Sequence, residues 1–241
     1  MPQKYIYISP HLDDVTLSCG GLIFEQVRAG RKVEIWTITA GIPDPKRMPE
    51  FGRVLNARWG IGLEQLQTRR EEDRAACKVL GAKCVHLDWL DCIYRWREDG
   101  DALIHDDDEL FTAEPEAALV DEIAAYLQSH VPHSAKLISP LGIGNHVDHL
   151  LVVQAVAQSG MRGVVYADYP YVSTHFEWSP RLESRELRRI PRVITQEGVE
   201  AWQEAVLCNR SQLSTFWGND GECRLAIANY CAGGGGRLWR F

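Results

Sequence analysis

Apolar residues recur along this chain with two periods. Lys4–Ser9 (KYIYIS) is a short run of β-branched and aromatic residues that stops at Pro10, and it predicts a buried strand. Thr16–Ala29 sets Leu17, Leu22, Ile23, Phe24 and Val27 at helical spacing, with Gly30 beyond its end as a cap. Arg31–Thr39 predicts a second strand. Thr68–Leu80 predicts a helix, charged on one side with Ala75, Ala76, Val79 and Leu80 opposite, and Lys83–Trp89 a third strand. Pro115–Leu127 is amphipathic at helical spacing, Lys136–Pro140 is a fourth strand, Val147–Gln158 a further helix and Gly163–Asp168 a fifth strand. Gln196–Thr215 predicts a late helix that turns Trp202, Val206 and Leu213 inward.

Strands that alternate with helices at this spacing run parallel and are joined by right-handed crossovers. The fold expected is therefore α/β, a Rossmann-like layered domain with a mainly parallel central sheet flanked by helices. One domain over 1–241 is expected, with insertions near 41–66 and 91–113 and an extension after about 172. The first insertion is irregular apart from a short helix, and the second is a loop excursion. Ala232–Arg237 is glycine-rich and reads as a flexible joint, whereas Leu238–Phe241 is apolar enough to dock, on a neighbouring copy if the chain assembles into a homo-oligomer.

Composition narrows the function. A net charge of −7 with no basic stripe argues against a nucleic-acid partner. No apolar run reaches the roughly 18 residues of a membrane span, and Met1–Lys4 has no signal-peptide pattern. Seven cysteines without a C-x-x-C pair fit free thiols in a reducing cytoplasm better than a disulfide framework.

Ligands of open α/β sheets gather beyond the carboxyl ends of the strands, and the chemistry-bearing residues fall there. The first strand ends in His11-Leu12-Asp13-Asp14 and the fourth leads to His146-Val147-Asp148-His149. An imidazole and two carboxylates within four residues are compact donors for zinc, whose catalytic sites keep three protein ligands and an open position. His11 and Asp14 can converge on one ion, leaving Asp13 as a base beside it. The alternative makes Asp13 or Asp14 a helix cap and His11 a hydrogen-bonded strand end. His146 and His149 share a face at a helix start, supplying a third ligand and a second acid–base group; here the alternative makes Asp148 the cap and both histidines surface residues.

Ser9-Pro10-His11-Leu12-Asp13-Asp14, followed by Cys19-Gly20-Gly21, resembles the PHPDDE…GCGG signature of the LmbE-like, or PIG-L, de-N-acetylase family. His146-Val147-Asp148-His149 resembles its second motif, H-x-D-H, and Arg69-Arg70-Glu71-Glu72 its intervening R-x-x-E helix. Leu12 and Val15 depart from that pattern, where the family has Pro and Glu. The resemblance spans roughly residues 4–170. It implies one Zn2+ per chain, or another divalent transition metal, held by His11, Asp14 and His149. It further implies Asp13 as general base, His146 as the group stabilising the oxyanion, and Asp148 orienting His146 and keeping it cationic. The implied enzyme is a metal-dependent amidohydrolase acting on linear amides: zinc-bound water attacks the acetyl carbonyl of an N-acetylglucosamine-type sugar or glycoconjugate.

Weaker candidates surround this set. Asp91, Tyr94 and Arg95, with Asp88, either bind sugar hydroxyls or form a loop salt bridge with a packed Tyr. Arg69 either reaches the substrate or pairs with Glu72, and Asp168–Tyr171 reaches the pocket rim. His86 reads as a satisfied core histidine, and Trp89 and Trp96 as a sugar platform or packing. The competing functions are a metal-dependent deacylase or esterase for another acyl group, and a non-catalytic sugar- or nucleotide-binding module. A nucleotide-binding module would need a Gly-rich turn after the first strand, where this chain carries His-x-Asp-Asp.

Overall fold

A computed structural model describes residues 3–60, 65–161, 163–175 and 187–240. The first helical crossover is built from β1 (Lys4–Ser9), α1 (Asp14–Arg28) and β2 (Lys32–Thr37). Then come α2 (Glu50–Arg58), α3 (Gln65–Leu80) and β3 (Lys83–His86). A four-residue α4 (Glu109–Thr112), α5 (Ala117–His130), β4 (Lys136–Pro140), α6 (Val147–Gln158) and β5 (Val164–Tyr166) complete the alternating part. The remainder is β6 (Arg188–Arg189), α7 (Gln196–Leu207), α8 (Arg210–Phe216), α9 (Asp220–Ala232) and β7 (Leu238–Arg240).

Among the described residues the strands form one sheet in the order β3-β2-β1-β4-β5-β7-β6. The first five are parallel, as expected, and β7 and β6 are added antiparallel at one edge. Side chains of a strand alternate between faces, and β1 shows it. Ile6 and Ile8 pack with α5 and α6 on one side, through Ile123, Leu127, Leu151 and Val152. Tyr7 packs with α1 and α3 on the other, through Ile23, Ala76 and Leu80. Chain order reverses between β1 and β4, the switch point at which such sheets open a ligand crevice.

The Gly20–Gly21 pair of the first motif has a packing reason. A Cβ on Gly20 would overlap the ring of Trp202, and one on Gly21 would lie 2.9 Å from it. The bare helix face thus lets α7 approach α1 closely enough for the fully buried Trp202 to donate from Nε1 to Thr16 O at 2.7 Å.

Three expectations are corrected and one element is added. The late helix is two helices, because Asn209 leaves the helical region (φ −81°, ψ 54°) and redirects Arg210–Phe216; Trp202 and Val206 face inward, and Leu213 is half-buried. The second insertion carries a 3-10 turn at Cys92–Tyr94 and the short α4. Asp220–Ala232, given no element from the sequence, is a helix whose small hydrophobic asymmetry hid it. Finally, Leu238 and Trp239 pair with Tyr166 and Val165 of the chain's own sheet, so the tail docks at home; Phe241, like residues 61–64 of the first insertion, lies outside the described residues.

Candidate active site

The turn leaving β1 is tied down before it presents its side chains. Ser9 Oγ donates to His11 O at 2.6 Å and accepts from Val15 N, while Thr39 Oγ1 donates to Pro10 O at 2.8 Å. Asp13 then adopts φ 111°, ψ −32°, a region seldom open to residues with a Cβ. Such strain persists where the surroundings over-determine it, often at functional sites. Asp13 takes the N-cap position of α1, yet its carboxylate makes no capping hydrogen bond. Asp14 turns back on His11, accepting from its main-chain N at 2.7 Å and lying 3.2 Å from Nδ1.

The second turn, between β4 and α6, uses positive φ at Gly142, Gly144 and Asn145 to bring the next residues over the same crevice. His146 is the N-cap of α6, and its Nδ1 accepts from Asp148 N at 3.3 Å. His149, one turn on, places Nε2 3.4 Å from Asp14 Oδ2. Its Nδ1 lies 2.6 Å from Asp168 Oδ1, and Asp168 Oδ2 is itself held by the main-chain N–H groups of Leu141 and Ile143.

The side chains fit a metal ion. Zinc bonds of about 2.0–2.2 Å put tetrahedral donors roughly 3.3–3.6 Å apart, close to the 3.2 and 3.4 Å that separate Asp14 Oδ2 from His11 Nδ1 and His149 Nε2. His149 Nε2 is buried and makes no well-directed hydrogen bond. Both histidines are steered from their far nitrogens by a carboxylate, His149 by Asp168 and His11 by Asp148, whose Oδ2 lies 3.0 Å from Nε2. That carboxylate–histidine pairing orients imidazole ligands and raises their basicity. His11, His146 and His149 also bring ring nitrogens within 4.8 Å of one another.

Electrostatics point the same way. Burial opposes charge on His11 and His149, but Asp91, Asp14 and Asp148 raise the first well above its ordinary range, and Asp14 and Asp168 lift the second to about 9. The carboxylates therefore create a field that asks for a cation. Burial would raise Asp14 as well, yet the two histidines hold it well below the usual carboxylate range. Burial, reinforced by Asp14, lifts Asp13 to about 7 against the pull of Arg69 and His11. Burial and the neighbouring His11 and His149 depress His146.

Asp148 is placed differently from the expectation. Its carboxylate does not face His146: Oδ1 meets Arg95 Nη2 at 2.7 Å, and Oδ2 meets His11 and accepts from Cys92 N at 2.9 Å. Only its main-chain N–H reaches His146. With Nδ1 accepting that bond, the His146 proton sits on Nε2, and the ring is neutral rather than cationic.

Of the weaker candidates, Arg69 and Asp91 line the crevice. Arg69 stacks over Trp59 at 5.3 Å and approaches Leu12 O, its Nε without a partner. Glu72 does not pair with it; its carboxylate accepts from Ser211 N and Oγ instead. Tyr94 is buried away from the crevice, donating to Asn56 Oδ1 at 2.7 Å. Arg95 is likewise interior, bridging Asp148 and Glu116. Trp89 and Trp96 do not line the crevice, donating to Glu122 and Arg47 O.

The crevice encloses about 470 Å³ and is walled by Trp59, Phe111, Tyr171 and Phe216, with the Arg58–Asp107 pair at 2.8 Å across the mouth. The α8 contribution was hidden in the sequence by the apparent single helix, and Asp168 by its reading as a rim residue. Its position directly after a strand was the available signal. A larger cavity of about 820 Å³ near β7 and α9 contains none of the His/Asp donors.

A family model described as PIG-L, GlcNAc-PI de-N-acetylase, matches residues 6–159, which include both His/Asp motifs. The chain belongs to this family. As a PIG-L member it is an N-deacetylase, and its relatives agree. It is 28% identical over 246 residues to a 2'-N-acetylparomamine deacetylase of Niallia circulans, covering 92% of this chain and 86% of that protein. A crystal structure of a deacetylase in teicoplanin biosynthesis superposes with a TM-score of 0.80 at 26% identity, over 98% of this chain and 97% of the other. The zinc-inhibited form of a teicoplanin deacetylase gives 0.79 at 25%, with the same coverage. No helix among the described residues is long and apolar enough to cross a membrane.

Proposed function

We propose that this PIG-L member is a zinc-dependent hydrolase that removes the acetyl group from the amide of an N-acetylglucosamine-type sugar or a glycoconjugate bearing one. The observation that carries the reading is the convergence of His11 Nδ1 and His149 Nε2 on Asp14 Oδ2, beside the strained and buried Asp13. The N-acetylparomamine in the name of the Niallia relative and the teicoplanin in those of the structural neighbours support the substrate class.

His11, Asp14 and His149 hold the metal, which when bound polarises the amide carbonyl and lowers the pKa of water toward neutrality. Asp13, whose carboxylate is not engaged in capping, accepts the proton of the attacking water; positioned acid–base groups of this kind contribute about 10²–10⁴ in rate. His146 offers Nε2–H to the developing oxyanion, a contribution of roughly 10²–10³ for a single donor. Asp148 and Asp168 are positioning residues that act through His11 and His149. Arg69, with its free Nε, and Asp91 hold the sugar, and the aromatic walls exclude water around it. The seven free thiols support a reducing compartment such as the cytoplasm.

The test is metal content and acetate release in the same preparation. Zinc-reconstituted protein is expected to retain about one ion per chain and to release acetate from N-acetylglucosaminyl compounds. His149→Ala should lose both. Full turnover by rigorously metal-free protein would sink the proposal, as would zinc retention without acetate release from any N-acetylated sugar.

A further inference from the structure

A second cluster of reactive side chains lies outside the crevice, where α3 packs on the edge strand β3. Asp73 and Cys77 are four apart on α3 and share a helix face; Cys84 and His86 are two apart on β3 and share a strand face. Asp73 Oδ2, Cys84 Sγ and His86 Nε2 form a triangle with sides of 2.8, 2.9 and 3.2 Å. Cys77 Sγ, Cys84 Sγ and an Asp73 oxygen all lie within 4.8 Å of one another. We infer that Cys77 and Cys84 are a redox-active dithiol, Cys84 being the site at which a small peroxide modifies this protein and Cys77 the resolving thiol.

The proton on His86 keeps that imidazole out of a metal donor set, which would then consist of Asp73, Cys77 and Cys84 alone. Arg70 Nε donates to His86 Nδ1 at 3.2 Å, and a guanidinium can only donate. Nδ1 is thus the acceptor and Nε2 carries the hydrogen, aimed at Asp73 and Cys84. An imidazole held in that tautomer has no lone pair at Nε2 for a metal. It is instead a donor to sulfur, the setting that favours a thiolate. The hydrogen bond from Cys77 leads in lowering the Cys84 pKa to about 7 against burial and the Asp73 carboxylate, and His86 adds to it. Accessibility fits the division of roles. Cys84 is partly exposed on the edge strand, whereas Cys77 is 1% exposed beneath it. Low-pKa, accessible cysteines beside a second thiol are the ones oxidised reversibly.

The steps balance. The Cys84 thiolate attacks one peroxide oxygen, an S–O bond forms as the O–O bond breaks, and the departing oxygen takes a proton and leaves as water. Cys84 is then a sulfenic acid, two electrons oxidised, and the peroxide is reduced. Cys77 sulfur attacks Cys84 sulfur, the S–O bond breaks, and the hydroxide leaves as water with the Cys77 proton.

Hydrogen peroxide titration of the purified full chain, followed by thiol alkylation and tryptic mapping, tests this. The expected product is a dithiothreitol-reversible link between the peptides 75–78 and 84–95, with fragmentation placing it at Cys84 rather than the buried Cys92. Cys84 should be consumed about fivefold faster than the half-exposed Cys208 and Cys231, because His86 Nε2 lies 2.9 Å from its sulfur and Cys77 stands beside it. Cys77→Ala should arrest at a sulfenic acid captured by dimedone on Cys84, and Cys84→Ser should leave Cys77 unmodified. Oxidation of Cys84 no faster than Cys208 and Cys231 in the unmutated chain would overturn the inference. So would a metal ion retained in His149→Ala protein and lost from Cys84→Ser.

Discussion

Two buried His/Asp clusters in this chain look alike as composition and differ in one respect. At the crevice, His11 and His149 are both held from behind by carboxylates, and their other nitrogens converge on Asp14, with His149 Nε2 left without a directed hydrogen bond. At the α3–β3 nest, Arg70, His86, Asp73 and Cys84 satisfy one another in a closed chain. Buried polar groups are normally paired, and those that are not call for an explanation. The crevice leaves a buried imidazole nitrogen without a directed partner, whereas the hydrogen-bonding groups of the nest satisfy one another. Proximity of His, Cys and Asp is therefore a weak criterion for a metal; the direction of the histidine proton is the stronger one.

The largest effect expected on this contrast beyond loss of a ligand is at Asp13. Asp13→Asn keeps the size of the side chain and removes its basicity, so zinc content should stay at wild-type level while kcat falls about 10²–10⁴-fold. Loss of zinc in step with activity would reassign Asp13 to the donor set. Next in size is Asp168→Asn. An amide in place of the carboxylate weakens the hold on His149 Nδ1, and metal affinity should fall about 10–100-fold. Competition with a chelator measures it, and an unchanged affinity would remove the steering role from the comparison.

The parallel sheet was legible because its strands are short runs rich in apolar residues, such as KYIYIS and KVEIWT, set between helical periods. The His/Asp set was legible because two short motifs carry it at strand ends. What escaped reading depends on contacts between distant segments. The sequence points to Asp148 and Arg95 separately, and only folding sets them 2.7 Å apart and turns Asp148 toward His11. Tyr94 looked like a pocket residue because it follows a strand, but the 3-10 turn capped by Asp91 rotates it into the interior. The α8 wall depends on a break at Asn209 inside one apparent amphipathic run, and β6 is too short for any periodicity to register.

A smaller effect follows from protonation. His149 binds its proton more tightly in the folded, metal-free chain, at about 9, than in the unfolded chain, at about 6.5. The metal-free fold is thus stabilised by this group below pH 6.5 and loses that contribution as the pH rises through about 9. Metal must displace the same proton, so zinc uptake should release protons and tighten as the pH is raised over that window. Calorimetric titration in buffers of different ionisation enthalpy reads the released protons directly. Uptake with no proton release would mean that the crevice histidines are already neutral and that the carboxylates do not set their state.

The smallest effect should be at the nest, and its smallness is what the comparison requires. Cys84→Ser retains a donor toward Asp73 and leaves the Arg70–His86–Asp73 chain in place, while the crevice residues are untouched. Zinc content and kcat/KM under reducing conditions should match wild type, and stability should change by no more than about 1 kcal/mol. Asp73 is nearly as buried as Asp148, at 1% against 0% exposure; burial alone cannot distinguish the two clusters. If Cys84→Ser lowered the zinc content by one ion, Cys84 would be a metal ligand together with Asp73 and Cys77, and the two clusters would be of one kind. If the variant changes only the response to peroxide, the distinction rests where the geometry puts it, on which histidine nitrogens are already spoken for.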